Sequence, residues 1–231
     1  AVADRMIWLR LGQLGRLLAF LKDNGVDQVV FAGSIKKPKA MGMIPDFRAA
    51  RMLFRIRNRH DGEIFQALIR TLNEEGIEVL SPLSFVPALK TPEGVLSKRK
   101  PSRKEESDIS FGWPLAKEIG SLDIGQCLVV KENMVVAVEA LEGSDSTILR
   151  AGELVGSGCV VLKVFKPGQT EMIDQPAVGL ETIRTMIRSG ASCLALEAEE
   201  GLFFDRKEAL ELANTYDICI VGYPSNKETS S

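Results

Sequence analysis

The sequence predicts an α/β protein made of two small α/β domains joined by a linker. Short β-branched runs alternate with segments of helical periodicity along most of the 231 residues. The charge is also divided, because residues 1–104 carry 19 basic and 10 acidic side chains whereas residues 105–231 carry 10 and 21. Residues 91–107 are polar, charged and aperiodic. We therefore predict an N-terminal domain over 1–90, a linker over 91–107 and a C-terminal domain over 108–231.

The composition excludes several classes of protein. With 45% hydrophobic and 26% charged residues, the chain is not collagen-like, disordered or a disulfide scaffold. No apolar run approaches the roughly 18 residues of a membrane-spanning helix. The four cysteines lie in separate apolar stretches without a CxxC pair, which favours buried thiols over a zinc site. Because His60 is the only histidine, we expect the chemistry to use carboxylates, lysines or a hard metal ion.

The first domain is predicted to begin on a helix. In LGQLGRLLAFLKDNG the leucines recur at helical spacing, and Gly25 is expected to close the helix. An α/β domain usually opens on a strand, and Ala1 is not a natural first residue, so we expect the chain to lack its native N-terminus. VDQVVFAG follows, and its β-branched run is typical of a buried parallel strand that opens into a loop at Gly33.

Two helices and a strand complete the predicted first domain. Asp46 is expected to cap FRAARMLFRIRNRH and Asp61 to cap GEIFQALIRTLNEEG, after which IEVLS is a strand. Four arginines share one face of the first of these helices: Arg48, Arg51, Arg55 and Arg59. That face could lie on an anionic membrane, pair with substrate phosphates, contact nucleic acid or simply be solvated. Nucleic acid is the least favoured partner, because aromatic residues do not alternate with the basic ones and the net charge is negative.

The second domain is predicted to alternate helices and strands. A helix, PLAKEIGSLD, precedes a hairpin whose strands are CLVV and MVVAVEAL and whose turn is KEN. A helix then begins in GSDSTILR, with Ser144 or Asp145 as its cap. Further strands are predicted at GCVVLKVF, ASCLALEA and ICIVG, and further helices at GLETIRTMIRSG and RKEALELANTYD. EEGLFFD is predicted to be a short strand or one arm of a hairpin. This alternation indicates a second α/β sheet.

The densest polar cluster is VEALEGSDSTILR. A strand is expected to end at Glu139 and Glu142, the chain to turn at Gly143, and a helix to begin through Ser144 and Asp145. Free amides at such a helix start can hold a phosphate, and the neighbouring carboxylates could bind Mg²⁺ through oxygen. The alternative is a strand–turn–helix junction with a capping box and no ligand.

A second polar cluster, VFKPGQTEMIDQPAVG, follows a predicted strand at the edge where α/β folds place their ligands. Lys166 offers a point charge to a phosphate, and Asp174 could bind a metal ion or act as a base. A plain loop would explain the Pro-Gly turn, but it explains less readily an apolar strand that leads into Lys, Gln and Asp.

Five strings, in their order along the chain, resemble the LpxI-type UDP-2,3-diacylglucosamine pyrophosphatases of Gram-negative lipid A biosynthesis: VVFAGSIKKP, SLDIGQ, VEALEGSDSTILR, FKPGQTEMIDQPAVG and LEAEEGLFFDR. The resemblance extends from about Leu11 to Pro224. It implies two α/β domains with a substrate cleft between them, and Mg²⁺-dependent hydrolysis of UDP-2,3-diacylglucosamine to lipid X and UMP. It also implies a cytoplasmic protein peripheral to the inner membrane, and it leaves open whether the chain forms a homodimer.

The resemblance also implies roles for individual residues. Asp174 matches the catalytic aspartate of the family's Asp-x-Pro-x-x-Gly segment, and Lys166 is expected to neutralise charge on the phosphates. The expected Mg²⁺ ligands are Asp174, Glu139 and Asp145. The expected phosphate-binding residues are Gln126, Gly143, Ser144, Arg150 and Gln169. Family members begin with a strand and a glycine-rich loop that this sequence lacks, so the alternative function is a non-catalytic lipid or nucleotide-sugar binding module.

Overall fold

The computed structural model describes residues 3–31, 44–56, 61–166 and 177–224, without the side chains of residues 61, 62 and 83. The described residues divide into two compact units, and the division falls between Phe85 and Val86. Several residues named above lie outside the described ranges: Gly33, Arg59, His60, Gln169 and Asp174.

In its described residues, the first unit contains a two-stranded parallel sheet and three α-helices. The elements are α1 (Leu14–Asp23), β1 (Gln28–Val30), α2 (Phe47–Phe54), α3 (Asp61–Glu74) and β2 (Glu78–Leu80). Val29 of β1 lies opposite Val79 of β2. The helices cover the sheet with a core that includes Leu18, Leu72 and Ile77. The predicted order of helix, strand, helix, helix and strand is therefore confirmed.

The helix ends in this unit follow the capping rules. Gly25 adopts a φ of 65°, and the amides of Gly25 and Val26 bind the carbonyls of Lys22 and Leu21 at 3.0 and 2.9 Å. This is the arrangement in which glycine closes a helix at a left-handed residue, so the prediction for Gly25 is confirmed. Asp46 caps α2 as predicted, because its carboxylate accepts the Ala49 amide at 2.9 Å.

The predicted length of the arginine helix is wrong. Helix α2 ends at Phe54, whereas the sequence predicts a helix that continues to residue 60. The amides of Arg55 and Ile56 bind the carbonyls of the residues three positions earlier, at 3.2 and 3.3 Å. This tighter hydrogen-bond pattern ends the α-helix. Arg55 is therefore the C-terminal cap of α2 rather than a residue in its middle.

The described part of the second unit contains a six-stranded mixed sheet in the order β3-β10-β8-β6-β4-β5, and a small parallel pair of β7 and β9. The strands are β3 (Gly94–Val95), β4 (Cys127–Lys131), β5 (Met134–Val138), β6 (Val160–Lys163), β7 (Ala177–Val178), β8 (Cys193–Glu197), β9 (Leu202–Phe203) and β10 (Cys219–Tyr223). The helices are α4 (Arg103–Ser121), α5 (Ser144–Val155), α6 (Leu180–Ser189) and α7 (Arg206–Thr215), with a 3₁₀ turn at Pro87–Leu89; the 3₁₀ turn at Pro82–Ser84 belongs to the end of the first unit.

Strands β6, β8 and β10 are parallel and form the centre of this sheet, with β3 and β4 antiparallel to their neighbours. Every residue of β6 and of β8 is buried, as expected for strands covered on both faces. Helix α4 covers one face through Ile109 and Trp113. Helices α5, α6 and α7 cover the other face. The predicted second α/β sheet is confirmed, and so is the hairpin of β4 and β5.

The four cysteines are buried and unbridged, as the sequence predicts: Cys127, Cys159, Cys193 and Cys219. None of the helices described above is both long enough and apolar enough to cross a membrane.

The prediction of a linker without regular structure over 91–107 is wrong. Thr91 is fully buried and its hydroxyl donates to the Gly201 carbonyl at 2.9 Å, and β3 pairs with β10. Helix α4 begins at Arg103 with a capping box, in which Ser102 and Glu105 each bind the other's amide, at 3.3 and 2.7 Å. The Ser-x-x-Glu signal of that box is present in the sequence, within a run of basic residues that does not resemble a helix start.

Candidate functional site

The candidate site lies at one edge of the six-stranded sheet. The strand register sets Cys127 opposite Lys163 and Lys163 opposite Leu196. The carbonyl of Cys127 also accepts the amide of Glu139 at 2.9 Å. The start of β4 therefore lies beside the ends of β5, β6 and β8. This is the carboxyl edge of the parallel strands, where α/β folds bind their ligands.

Glu139 and Gln126 form the polar centre of this edge. The chain passes so close at Gly125 that a Cβ there would lie 2.1 Å from the Glu139 carbonyl oxygen, so glycine is required. The Glu139 side chain accepts the Gln126 amide at 3.3 Å and the Ser144 hydroxyl at 3.1 Å. The Oε1 atom of Gln126 is buried, and no described residue donates a hydrogen bond to it. The predicted residues Gln126, Glu139 and Ser144 are thus brought together.

The start of α5 differs from the prediction. Ser144 and Asp145 are not the cap: Gly143 is the N-cap residue, and its φ of 83° is one that glycine adopts without strain. Gly143 has no side chain with which to cap the helix, and the Ser144 hydroxyl donates to Glu139 instead. Asp145 lies exposed in the first turn. A 12-residue helix that begins without a side-chain cap has amides available to an anion.

The Cys127 thiol lies within electrostatic range of three charged side chains of the candidate site. Burial raises the pKa of the Cys127 thiol to about 12; the Lys163 ammonium opposes that rise, whereas Glu139 and Asp145 add to it. The thiol therefore stays protonated near neutral pH and is not a nucleophile. The same interactions put one buried cation and two carboxylates within electrostatic range of a single sulfur atom.

Two lysines lie at the end of β6: Lys163 is its last residue, and Lys166 follows three residues later. The Lys163 side chain is buried, and its Nζ donates to the Ala177 carbonyl at 2.8 Å. The Lys166 side chain is 13% exposed and its Nζ lies 2.9 Å from Oδ1 of Asp123. Asp123 follows the end of α4 with a φ of 55°, a left-handed conformation that asparagine and aspartate tolerate better than most residues. The positive charge predicted at Lys166 thus lies on the C-terminal side of β6, with a carboxylate beside it.

Arg150 is engaged on α5. Its guanidinium donates to the Val138 carbonyl at 3.0 Å and to Oε1 of Glu142 at 2.6 Å. The amide of Glu142 itself and the Arg150 guanidinium hold the pKa of the Glu142 carboxyl below its usual value. The structure therefore pairs Arg150 with Glu142, and the bond from Arg150 to Val138 joins α5 to the end of β5.

The described residues do not by themselves form a metal site. Among them, no group of three or more histidine, cysteine, aspartate or glutamate side chains is arranged to hold a metal ion. Glu139 is already hydrogen-bonded to Gln126 and Ser144, and Asp145 is exposed. The third predicted ligand, Asp174, and the predicted phosphate ligand Gln169 lie outside the described ranges.

Sequence reasoning missed four charged residues at this edge: Asp123, Lys163, Glu197 and Lys117. Lys163 and Glu197 each end a strand that is otherwise apolar, and such an isolated charge in a buried run is a signal that the sequence contains. The Nζ of Lys117, on α4, contacts both carboxylate oxygens of Glu197. The partner of Lys117 could be found only from the packing of α4 on the sheet.

Comparison with known proteins gives a family match for both halves of the chain. The family model of the LpxI N-terminal domain matches residues 1–89, and the model of the LpxI C-terminal domain matches residues 92–221. The chain is also 30% identical, over 224 residues, to a protein of Caulobacter vibrioides named UDP-2,3-diacylglucosamine pyrophosphatase LpxI. That similarity covers 92% of this chain and 80% of the relative. Because both domain models match in order and together cover nearly the whole sequence, the chain belongs to the LpxI family.

Proposed function

We propose that this chain hydrolyses the pyrophosphate bond of UDP-2,3-diacylglucosamine in lipid A biosynthesis. One water molecule is consumed and one P–O bond of the anhydride breaks, which leaves UMP and 2,3-diacylglucosamine 1-phosphate (lipid X). The observation that carries the proposal is the meeting of Glu139, the uncapped start of α5 and a buried lysine at one sheet edge in a chain of the LpxI family. The name of the Caulobacter vibrioides relative gives the substrate.

The described residues support a binding role for each part of this edge. The amides that begin α5 would hold one phosphate of the anhydride, next to Gly143 and Ser144. The ammonium groups of Lys163 and Lys166 would balance the negative charge that grows on the phosphates during hydrolysis. We propose Asp174 as the residue that orients the attacking water, from the match of its segment to the family pattern.

We further propose that hydrolysis depends on Mg²⁺, held by oxygen atoms of Glu139, Asp145 and Asp174. The ion would neutralise charge on the diphosphate when bound. Protein treated with EDTA should lose UMP release and regain it when Mg²⁺ is added. Glu139→Gln and Asp145→Asn should each raise the Mg²⁺ concentration needed for half of the activity. Full activity in excess EDTA would exclude this dependence.

We propose that helix α2 lies on the cytoplasmic face of the inner membrane and makes the protein peripheral to it. Phe47, Arg51 and Phe54 are spaced so that they share one side of the helix, and Arg55 caps its C-terminal end. The two phenylalanines are 82% and 92% exposed, an unusual state for a large apolar side chain. Aromatic rings beside arginines suit the boundary between acyl chains and anionic headgroups.

The direct test of the proposed reaction is incubation of the purified chain with UDP-2,3-diacylglucosamine and Mg²⁺, followed by mass spectrometry. We expect UMP and 2,3-diacylglucosamine 1-phosphate in equal amounts. Asp174→Ala should release neither product while it unfolds at the wild-type temperature, and Asp23→Ala, an exposed change on α1, should leave turnover unaltered. If the wild-type chain retains the lipid nucleotide without releasing UMP, hydrolysis is refuted and a non-catalytic lipid or nucleotide-sugar binding module is favoured.

A further inference from the structure

A buried ion pair lies beside the candidate site and binds main-chain atoms at its edge. The Nζ of Lys117 lies 2.8 and 3.1 Å from the two carboxylate oxygens of Glu197. The same Nζ donates to the Phe165 carbonyl at 3.1 Å, and Oε2 of Glu197 accepts the Phe165 amide at 2.5 Å. One ion pair therefore engages both polar main-chain groups of Phe165, the residue immediately before Lys166.

The burial of this pair indicates that stability alone does not explain it. The Glu197 side chain is fully buried and that of Lys117 is 28% exposed. Removing two charges from water is costly, and apolar side chains of similar volume often stabilise a fold equally well. The ion pair does something that apolar side chains cannot do, because only charged or polar groups can hold the amide and the carbonyl of Phe165.

The main chain at Phe165, which the ion pair binds, leads directly to Lys166. The amide of Val164 donates to the Gln126 carbonyl at 3.0 Å, so two consecutive residues after β6 have bound amides. Beyond them, the Nζ of Lys166 meets Asp123. The Lys166 side chain is thus tethered at both of its ends, through Phe165 at its main chain and through Asp123 at its ammonium. A cation stabilises the negative charge that develops on a phosphate more effectively when its position is fixed in advance.

We propose that Lys117 and Glu197 are positioning residues for the hydrolytic reaction: they fix the main chain at Phe165 and thereby aim Lys166 at the substrate phosphates. This inference rests on the proposed function. Neither residue needs to touch the substrate, since both act through Phe165. Loss of the pair should therefore lower kcat more than it changes KM.

The chain offers a matched control in a second buried ion pair, which Glu105 of the same helix makes with Arg99. Arg99 donates to both carboxylate oxygens of Glu105, at 2.7 and 2.9 Å, and to the Ser192 carbonyl at 2.6 Å. Glu105 and Lys117 are twelve residues apart on α4, or about 18 Å at the rise of an α-helix. Ser192 precedes β8 and Glu197 ends it, so the two pairs lie at opposite edges of the sheet. The control pair is far from the candidate site but similarly buried.

The experiment compares Lys117→Met with Arg99→Met in the full chain, each of which removes a cation from a buried carboxylate. We expect Lys117→Met to lower kcat by about ten- to a hundred-fold with KM within about threefold of wild type. Arg99→Met should lower the unfolding temperature and leave kcat within about twofold, measured where both variants are folded. Lys117→Arg should recover part of kcat, since a guanidinium can reach the same acceptors. An equal loss of kcat in both methionine variants would overturn the positioning role.

Two further measurements keep the proposal testable if folding or activity fails. The double variant Lys117→Met/Glu197→Gln removes both charges, so it should regain stability without regaining kcat; recovery of kcat would overturn the proposal. If the wild-type chain itself releases no UMP, the proposed function fails, and hydrogen exchange then tests the positioning separately. The peptide containing Phe165 and Lys166 should exchange at least several-fold faster in Lys117→Met than in wild type or Arg99→Met. Unchanged exchange would refute the tether.

Discussion

The Nζ of Lys163 lies 2.8 Å from the carbonyl oxygen of Ala177, fourteen positions later in the chain. This hydrogen bond joins the last residue of β6 to the first residue of β7, and it is made by a side chain that is only 5% exposed. This buried ammonium, which like Glu139 and Asp145 acts electrostatically on the Cys127 thiol, thus does two things at once: it ties two strands together and supplies positive charge at the candidate site.

We predict that Lys163→Met lowers kcat/KM at least about tenfold, because a site for phosphates loses a buried cation. The matched control is Lys131→Met, since Lys131 also ends a strand and donates to two carbonyls, those of Val155 and Ser157, at 2.7 and 2.8 Å. Lys131 lies at the opposite edge of the sheet, so its removal should affect stability and not turnover. Steady-state kinetics and thermal unfolding of both variants test this, and wild-type kcat/KM in Lys163→Met would contradict it.

We predict that Gly143→Ala weakens substrate binding through the main chain. A Cβ at Gly143 meets no atom within 4 Å, so the cost arises from its backbone conformation alone, with φ 83° and ψ 163°, and should be about 1–3 kcal/mol of unfolding free energy. Gly156→Ala, at the other end of α5, has a φ of 69° and equally open space. Both variants should lose similar stability, but only Gly143→Ala should raise KM. A KM increase of equal size in both would show that the start of α5 has no special role.

We predict that Glu105 makes the stability of the second unit depend on acid pH. Burial alone would raise the pKa of Glu105, but hydrogen bonds from Arg99, Ser102 and Ser192 outweigh it and lower the pKa to about 2. Because the folded-state pKa lies below the unfolded value of 4.5, the stabilisation is present above pH 4.5 and is lost as the pH falls toward 2. Chemical denaturation of wild type and Glu105→Gln should show a difference that shrinks over this range. A difference that stays constant from pH 6 to pH 3 would contradict it.

We predict that the exposed side of α2 binds anionic vesicles. The double variant Phe47→Ser/Phe54→Ser should co-sediment less with vesicles of phosphatidylglycerol and phosphatidylethanolamine, and Arg51→Gln should weaken binding most at low salt. Arg48→Gln is the control, because Arg48 donates to Glu75 and so serves the fold of the first unit. Removal of the Arg48 guanidinium should raise the pKa of Glu75, which Lys22 and Arg48 together lower, and it should leave vesicle binding unchanged. Equal binding by the wild type and the phenylalanine variant would exclude α2 as the contact.

The sequence predicts the elements of this fold well wherever a local pattern determines them. The buried strands β6 and β8 are continuous apolar runs, and the turn of the hairpin lies at Glu132 and Asn133, whose φ values of 51° and 55° suit a tight turn. Asp108 of α4 accepts the amides of both turn residues, at 3.2 and 2.6 Å. No local sequence pattern predicts the contacts of Asp108 with the turn, because Asp108 lies 24 and 25 positions from the two turn residues.

The wrong predictions arise where a contact in the folded protein overrides the local sequence pattern. Over 91–107 the basic run suggests a solvated linker, but burial of Thr91 and the pairing of β3 with β10 depend on residues more than a hundred positions away. At α5 the sequence contains two good capping residues, yet the Ser144 hydroxyl is taken by Glu139. Of the candidate site, the cluster of Gln126, Glu139 and Ser144 could be predicted from sequence motifs. Lys117 could not, since its partner Glu197 is set by how α4 packs on the sheet.

The position of the cysteines has a practical consequence for folding studies. All four belong to the second unit and are buried in its sheet or beside it, while residues 1–85 contain none. A thiol reagent added under native conditions can therefore react only when the second unit opens. The rate of labelling, measured as a function of denaturant, would report the opening free energy of that unit alone, without signal from the first. The chain thus contains a natural, unit-specific probe of local unfolding that needs no engineered label.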